Sequence, residues 1–169
     1  MLIRALTAVS TVLLTLLLSV IGTAATAETL AGKVVGVHDG DTLTLLDDSN
    51  RQIKVRLAEI DAPESHQPYG SRAKQELSEL AFGRFAAVKV QDIDRYGRTV
   101  GRITVDGVDV NVEMVRRGAA WVYRKYAKDQ SLFTIEQQAK DAKAGLWALP
   151  DADQMPPWEW RKMKKSRTK

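Results

Sequence analysis

The sequence predicts a mainly β domain with helices, built as a small closed barrel of short strands. Two observations carry this prediction. Three strand-like segments follow one another within about thirty residues, and strong turn signals at residues 39–41 and 47–50 separate them. A helical pattern is then inserted before two further strands. Short strands in series are typical of antiparallel barrels and sandwiches.

The five predicted strands are residues 30–38, 42–45, 52–59, 86–93 and 98–105. In the third, apolar residues from Ile53 to Leu57 alternate with more polar ones, as a half-buried strand requires. The fourth and fifth strands are joined through a turn at residues 94–97. This count is compatible with the OB-fold, a five-stranded Greek-key barrel.

Three helices are predicted around these strands. Ser71 is expected to cap the first helix, and Asn111 the second, which Gly118 would close. The third should begin near Ser131 and stop at Gly145.

The chain divides into three parts. Residues 1–27 predict a signal peptide, because Arg4 precedes an apolar run at residues 5–21 and Ala25-Thr26-Ala27 has the small-x-small pattern of a cleavage site. The alternative is an uncleaved N-terminal anchor, since the run lies at the lower end of the roughly 17–25 residues that span a bilayer. Residues 28–150 then form one domain, and residues 151–169 a basic, Trp-containing tail that is frayed or helical on the surface.

Composition limits the possible classes of protein. The chain has no cysteine, which excludes a lipoprotein and a disulfide-stapled scaffold. The export signal therefore predicts a bacterial protein in the periplasm or outside the cell. The formal net charge is +4, but residues 158–169 hold six basic residues against Glu159. Basicity is thus a property of the tail, and it does not by itself indicate a nucleic-acid-binding domain.

Four acidic residues are candidates for a metal site. Asp39 and Asp41 follow the first strand, and Asp61 and Glu64 follow the third, so neighbouring strands would bring both acidic turns to one end of the sheet. Carboxylates with a backbone carbonyl and water suit a hard cation such as calcium, and magnesium would also fit.

Two arginines add a second element. Arg56 lies within the third strand and Arg98 begins the fifth, and two arginines facing a metal suit the charge of a phosphate diester. Glu64 could orient or deprotonate an attacking water. Spacing alone leaves structural interpretations open: Asp-Gly-Asp is a common hairpin turn, an arginine on a strand is usually solvated, and Asp61 could shape a turn.

One geometric condition follows from strand parity. Arg56 and Asp61 are five residues apart, so they would point to opposite faces of an unbroken strand. Both can serve one site only if the chain bends between Ala58 and Asp61.

An ordered set of motifs between about residues 30 and 147 resembles the staphylococcal nuclease (thermonuclease) family. The motifs are Val-His-Asp-Gly-Asp-Thr at 37–42, Val-Arg-Leu at 55–57, Ile-Asp-Ala-Pro-Glu at 60–64, Asp-Arg-Tyr-Gly-Arg at 94–98, Val-Asn at 110–111, Val-Arg-Arg-Gly at 115–118, Gln-Ala-Lys at 138–140 and Leu-Trp at 146–147. Each is weak alone, but their order and spacing together are specific.

The resemblance implies an OB-fold barrel with three α-helices and calcium-dependent hydrolysis of DNA and RNA, with P–O5′ cleavage and 3′-phosphate products. The substrates would be single-stranded or locally open, and the enzyme a monomer without stable membrane association after signal cleavage. Asp41 and Asp61 would hold Ca²⁺ together with the backbone carbonyl of Ala62, with Asp39 in an outer shell.

The same resemblance implies roles for the other candidates. Arg56 and Arg98 would hold the scissile phosphate, and Glu64 would be the general base. Substrate contacts would come from Arg95, Tyr96 and Tyr126, with Tyr123 as the rival of Tyr126 under a shifted register.

Three departures from the family pattern affect these expectations. Ala62 replaces a threonine, the loop at residues 65–69 is short, and Arg124 stands where another tyrosine would be. In addition, the tail has no counterpart in the staphylococcal protein. The tail could bind a polyanion or pack outside the barrel, and trimming after Pro157 is expected to leave the chemistry intact. The alternative function is a catalytically silent nucleic-acid- or protein-binding module.

Overall fold

The structure is a computed structural model that describes residues 29–167, so the predicted signal peptide lies outside the described residues. Five longer strands are β1 (Thr29–Val37), β2 (Thr42–Leu46), β3 (Gln52–Leu57), β5 (Phe85–Ile93) and β6 (Thr99–Val105). Three strands have two residues each: β4 (Ile60–Asp61), β7 (Val108–Asp109) and β8 (Trp121–Val122).

The described part contains four α-helices. They are α1 (Gly70–Ala81), α2 (Val110–Arg116), α3 (Ser131–Asp141) and α4 (Pro157–Arg167), with short 3-10 helices at Gly145–Ala148 and Asp151–Asp153. The three predicted helices are present, and α4 forms from the basic tail. None of the helices within residues 29–167 is long and apolar enough to cross a membrane.

The five longer strands close into a barrel. They follow the order β3-β2-β1-β5-β6 with antiparallel neighbours, and β3 pairs in parallel with β6 through Val55–Thr99 and Leu57–Gly101. Closure removes free strand edges, and fully buried apolar side chains fill the interior, among them Val34, Leu43, Leu45, Val55, Leu57 and Ile103. The predicted five-stranded OB-fold barrel is confirmed.

Two predicted helix caps are wrong. The residue before α1 is Tyr69, which has a left-handed backbone and makes no side-chain cap, so Ser71 is inside the helix. Helix α2 is capped by Asp109, whose carboxylate accepts from the Val112 N–H. Asn111 is instead fully buried and ties strands together, by accepting from the Ile103 N–H and donating to the carbonyls of Ala58 and Gly101.

The bend that strand parity requires is present. Strand β3 ends at Leu57 and β4 begins at Ile60, and between them Glu59 has a left-handed backbone with φ of 67°. A non-glycine residue in this region is uncommon. The change of direction turns Asp61 toward the same side as Arg56, as the contacts of the site show.

Candidate active site

Arg56 joins the two acidic turns at one end of the barrel. Strand pairing sets Arg56 opposite Thr42, next to Asp41. The Arg56 Nη2 donates to Asp41 Oδ2 at 3.1 Å and to Asp61 Oδ1 at 2.9 Å. Its Nη1 donates to the carbonyls of Leu57 and Ile60 at 3.3 and 3.2 Å. The guanidinium is therefore fixed from both sides, and the two aspartates share one cationic group.

A glycine between the first two aspartates allows this close approach. A Cβ atom on Gly40 would lie 2.6 Å from the Ala62 Cβ and 2.7 Å from the Ala73 Cβ, distances that side chains do not tolerate. With no side chain there, the Ala62 N–H reaches Asp41 Oδ2 at 3.1 Å. The Asp-Gly-Asp turn thus has a packing reason for its glycine in addition to its turn geometry.

The carboxylates of this end are short of positive charge. Burial, followed by the negative charge of Asp41, raises the pKa of Asp39 to about 6. Burial also raises the pKa of Asp61 to about 6, although Arg161 and Arg56 act in the opposite direction. Burial alone would lower the pKa of the Arg56 guanidinium, but Asp41 and Asp61 outweigh it and the net shift is upward.

Glu64 lies at the rim and has a partner that the sequence did not suggest. Its Oε1 accepts from Arg161 Nη1 at 2.7 Å. The same guanidinium makes a two-bond contact with Asp61, Nη2 to Oδ2 at 2.7 Å and Nη1 to Oδ1 at 3.2 Å. Arg161 is on α4, about a hundred residues along the chain from Asp61.

Helix α4 is held against this end of the barrel by further contacts. The Trp158 ring lies parallel to the Tyr123 ring at 5.4 Å and meets the Trp121 ring edge-on at 5.9 Å. The buried Gln67 side chain donates to the carbonyl of Met155, just before the helix. The first half of the tail therefore packs against the site and lines one side of it.

Arg98 is connected to Asp41 of the site through the hydroxyl of Thr42. Its Nε donates to Asp94 Oδ2 at 2.8 Å, and its Nη1 lies 3.4 Å from Thr42 Oγ1. The Thr42 hydroxyl in turn donates to Asp41 Oδ1 at 3.0 Å. Burial acts against ionisation of Asp94, but hydrogen bonds from the backbone and side chain of Arg98 outweigh it and lower the pKa of that carboxyl.

The net charge of this cluster would favour a bound cation. Four carboxylates, Asp39, Asp41, Asp61 and Glu64, face two guanidiniums, which leaves two net negative charges. Within residues 29–167, no group of three or more acidic, histidine or cysteine side chains is arranged to bind a metal by itself. The protein would therefore supply two carboxylates and a carbonyl and leave the other positions to water, as hard cations accept.

Comparison with known proteins identifies the family of this chain. Residues 54–149 match the family described as "Staphylococcal nuclease homologue". The chain belongs to the staphylococcal nuclease family.

Relatives in this family cover most of the chain. A "Micrococcal nuclease" of Shigella flexneri is 42% identical over 149 residues, which is 81% of this chain and 83% of the relative. An "Uncharacterized endonuclease" of Escherichia coli O157:H7 is 44% identical over 134 residues, or 79% of this chain and 86% of the relative. One of Haemophilus influenzae is 40% identical over 133 residues, covering 79% and 74%. These likenesses support a nuclease, a hydrolase acting on phosphodiester bonds.

The three residues expected to contact nucleotides lie outside the arginine and carboxylate cluster. In this family member, Arg95 and Tyr96 form the exposed tip of the β5–β6 hairpin, where Arg95 Nη2 donates to the Tyr96 hydroxyl at 2.7 Å. Tyr126 is exposed and meets Tyr123 edge-on at 4.8 Å. Tyr123 is the nearer to the cluster, since the Arg56 guanidinium lies 6.0 Å from its ring, but Trp158 covers one of its faces.

Proposed function

We propose that this member of the staphylococcal nuclease family is an exported, calcium-dependent nuclease that hydrolyses both DNA and RNA. The observation that carries the proposal is the shared guanidinium: one nitrogen of Arg56 lies within 3.1 Å of Asp41 and Asp61 together. Such a pair of buried carboxylates, with residual negative charge, suits a hard divalent cation.

Asp41, Asp61 and the backbone carbonyl of Ala62 would hold the cation, with Asp39 behind them. When bound, the cation would supply Lewis-acid stabilisation of charge on a phosphate oxygen. Calcium is proposed in preference to magnesium because of the resemblance to the staphylococcal nuclease family, since two carboxylates, a carbonyl and water would suit either hard cation.

Three side chains would then take part in the hydrolysis. Arg56 and Arg98 would place positive charge opposite the phosphate, whose charge increases in the transition state. Glu64 would take a proton from the water that attacks phosphorus. As the P–O5′ bond breaks, the 5′-oxygen would leave and take up a proton from solvent to become a 5′-hydroxyl, and the other product would carry the 3′-phosphate. Tyr96, Arg95 and a tyrosine of the 123–126 segment would contact the neighbouring nucleotides.

The substrate and location are part of the same proposal. Hydrolysis at an open end of the barrel suits a single strand or a locally opened duplex, and a single copy of the chain holds all the proposed groups. The apolar run at residues 5–21 followed by Ala25-Thr26-Ala27 supports export, with cleavage after Ala27. N-terminal sequencing of the secreted protein checks that cleavage.

The decisive experiment is a nuclease assay on purified mature protein. We expect degradation of single-stranded DNA and of RNA with calcium, loss of activity on adding a chelator, and recovery when calcium is restored in excess. Analysis of the product ends should show 3′-phosphates. Activity that survives chelation would refute the metal site, and tight binding of polynucleotide without hydrolysis would identify a silent binding module.

A further inference from the structure

We infer that Arg161 is a positioning residue of the active site, a third arginine that holds Asp61 and Glu64 where the reaction needs them. This inference rests on the proposed function, because it gives Arg161 its role through the proposed metal ligand and the proposed base. Arg161 itself is not placed against substrate.

The contacts of Arg161 have the geometry of a fixed support. Two of its nitrogens meet the two oxygens of Asp61, and one of them also meets Glu64 at 2.7 Å. A planar guanidinium that binds a carboxylate with two parallel bonds fixes its orientation as well as its position. The Asp61 side chain is only 1% exposed, and both of its oxygens accept hydrogen bonds from arginine side chains.

Glu64 is the residue that needs such support. Its side chain is 42% exposed and extends from a loop, so without a partner it would sample many rotamers. The backbone below it is already fixed, because the Glu64 N–H donates to Gln67 Oε1 at 3.2 Å and Gly70 packs against the Glu64 carbonyl with no room for a Cβ. Arg161 completes this arrangement at the end of the side chain.

The helix that carries Arg161 is fastened on both sides of the site. Gln67 ties the segment before α4 to the Glu64 loop through Met155, and Trp158 packs between Trp121 and Tyr123. Arg161 is one turn further along α4. The basic helix therefore belongs to the catalytic domain, and trimming after Pro157, which the sequence alone predicted to be harmless, is now expected to lower turnover.

The test compares Arg161→Ala with the wild type and with companion variants on single-stranded DNA. Calorimetry first sets a saturating calcium concentration for each protein. We expect Arg161→Ala to lower kcat by roughly 10- to 100-fold, the usual effect of losing a group that supports a metal ligand, with a much smaller change in KM. Arg161→Lys should retain part of kcat, because lysine keeps the positive charge but cannot make two parallel hydrogen bonds to one carboxylate. Added guanidinium ion should partly restore the kcat of Arg161→Ala.

Lys162→Ala is the matched control, since Lys162 is the next residue of α4 and pairs with Glu159 on the exposed side. Its kcat should equal that of the wild type. Near-ultraviolet circular dichroism of the metal-free proteins reports the stacking of Trp158 on Tyr123, and it should be the same in Arg161→Ala and wild type. If that signal changes, Arg161→Gln, which keeps a planar hydrogen-bonding group, is the variant that decides.

An unchanged kcat in Arg161→Ala would overturn the inference, and so would a raised kcat, which would identify α4 as an inhibitory element. Wild-type protein that hydrolyses no polynucleotide would instead refute the proposed function. An active wild type with an equally active Arg161→Ala variant would refute this inference alone.

Discussion

Arg56 and Arg102 each hold more than one carboxylate, yet the two clusters differ in how those carboxylates are stabilised. Arg102 pairs with Glu59 at 3.0 Å, Asp129 at 2.9 Å and Asp109 at 2.8 Å. Glu59 also accepts backbone N–H groups of residues 128 and 129. Burial acts against ionisation of Glu59, but these hydrogen bonds outweigh it and the pKa of Glu59 is lowered.

The Arg56 end of the barrel has the opposite character. There the pKa values of Asp39 and Asp61 are raised to about 6, because burial and neighbouring negative charge are not fully offset. A cluster whose carboxylates are stabilised in their charged form by hydrogen bonds from the protein supports the fold, whereas buried carboxylates whose charged form is disfavoured would gain from a bound cation. Perturbed pKa values of this kind are concentrated at functional sites.

The largest expected effect is the difference in turnover between the Arg56→Ala and Arg102→Ala variants. Arg56→Ala should lower turnover by a factor on the order of 10²–10³, as loss of one charge-stabilising donor does, while the fold persists. Arg102→Ala should leave kcat little changed and lower the free energy of unfolding by about 1.5–3 kcal/mol, the range for hydrogen bonds to charged groups. Steady-state kinetics and thermal unfolding of both variants measure the contrast. If Arg102→Ala lost turnover as severely, the division between the clusters would be wrong.

We expect the charges of Asp39 and Glu59 to affect stability in opposite directions near neutral pH. The raised pKa of Asp39 means that folding disfavours its charged form, so its contribution to stability decreases as the pH rises from about 4 to about 6. Asp39→Asn keeps the acceptor for the Asp41 N–H and should raise the thermal midpoint of metal-free protein at about pH 7, with no gain at about pH 4.

Glu59→Gln is the counterpart in the other cluster. Because the folded pKa of Glu59 is lowered, its charge contributes stability above the ordinary glutamate pKa, and this is lost as the pH falls through the lowered value. The variant should therefore lower the midpoint near neutral pH and matter less in acid. Midpoints that shift in the same direction for both variants would contradict the contrast.

The smallest effect is expected from the hydroxyl that connects Arg98 to Asp41. Thr42→Val keeps the shape of a side chain that is 3% exposed and removes its Oγ1 contacts with both residues. A net hydrogen bond of about 0.5–1.5 kcal/mol corresponds to a decrease in turnover of about two- to tenfold. Single-turnover rates at saturating calcium test this, and an unchanged rate would mean that Arg98 acts without this connection.

Local pattern was sufficient for much of the fold. The five barrel strands follow from alternation and turn residues, and the bend after Ala58 follows from the parity of Arg56 and Asp61. The role of Asn111 could not be found in this way, because its partner Ala58 is 53 residues distant and a helix cap is the commoner use of asparagine at that place. The role of Arg161 could not be predicted from the sequence either. The tail has six basic residues, and only the packing of α4 against the barrel shows which of them contacts the site.

The backbone conformation of Glu59 determines which arginine binds each of two nearby carboxylates, those of Glu59 and Asp61. Along an extended strand, residues two apart lie on the same face, so Glu59 and Asp61 would compete for the same arginine. The left-handed backbone at Glu59, with φ of 67°, sends one carboxylate to Arg102 and the other to Arg56. A single backbone torsion thus assigns one acid to holding the barrel and the other to chemistry, and a β-branched residue at this position would disturb both at once.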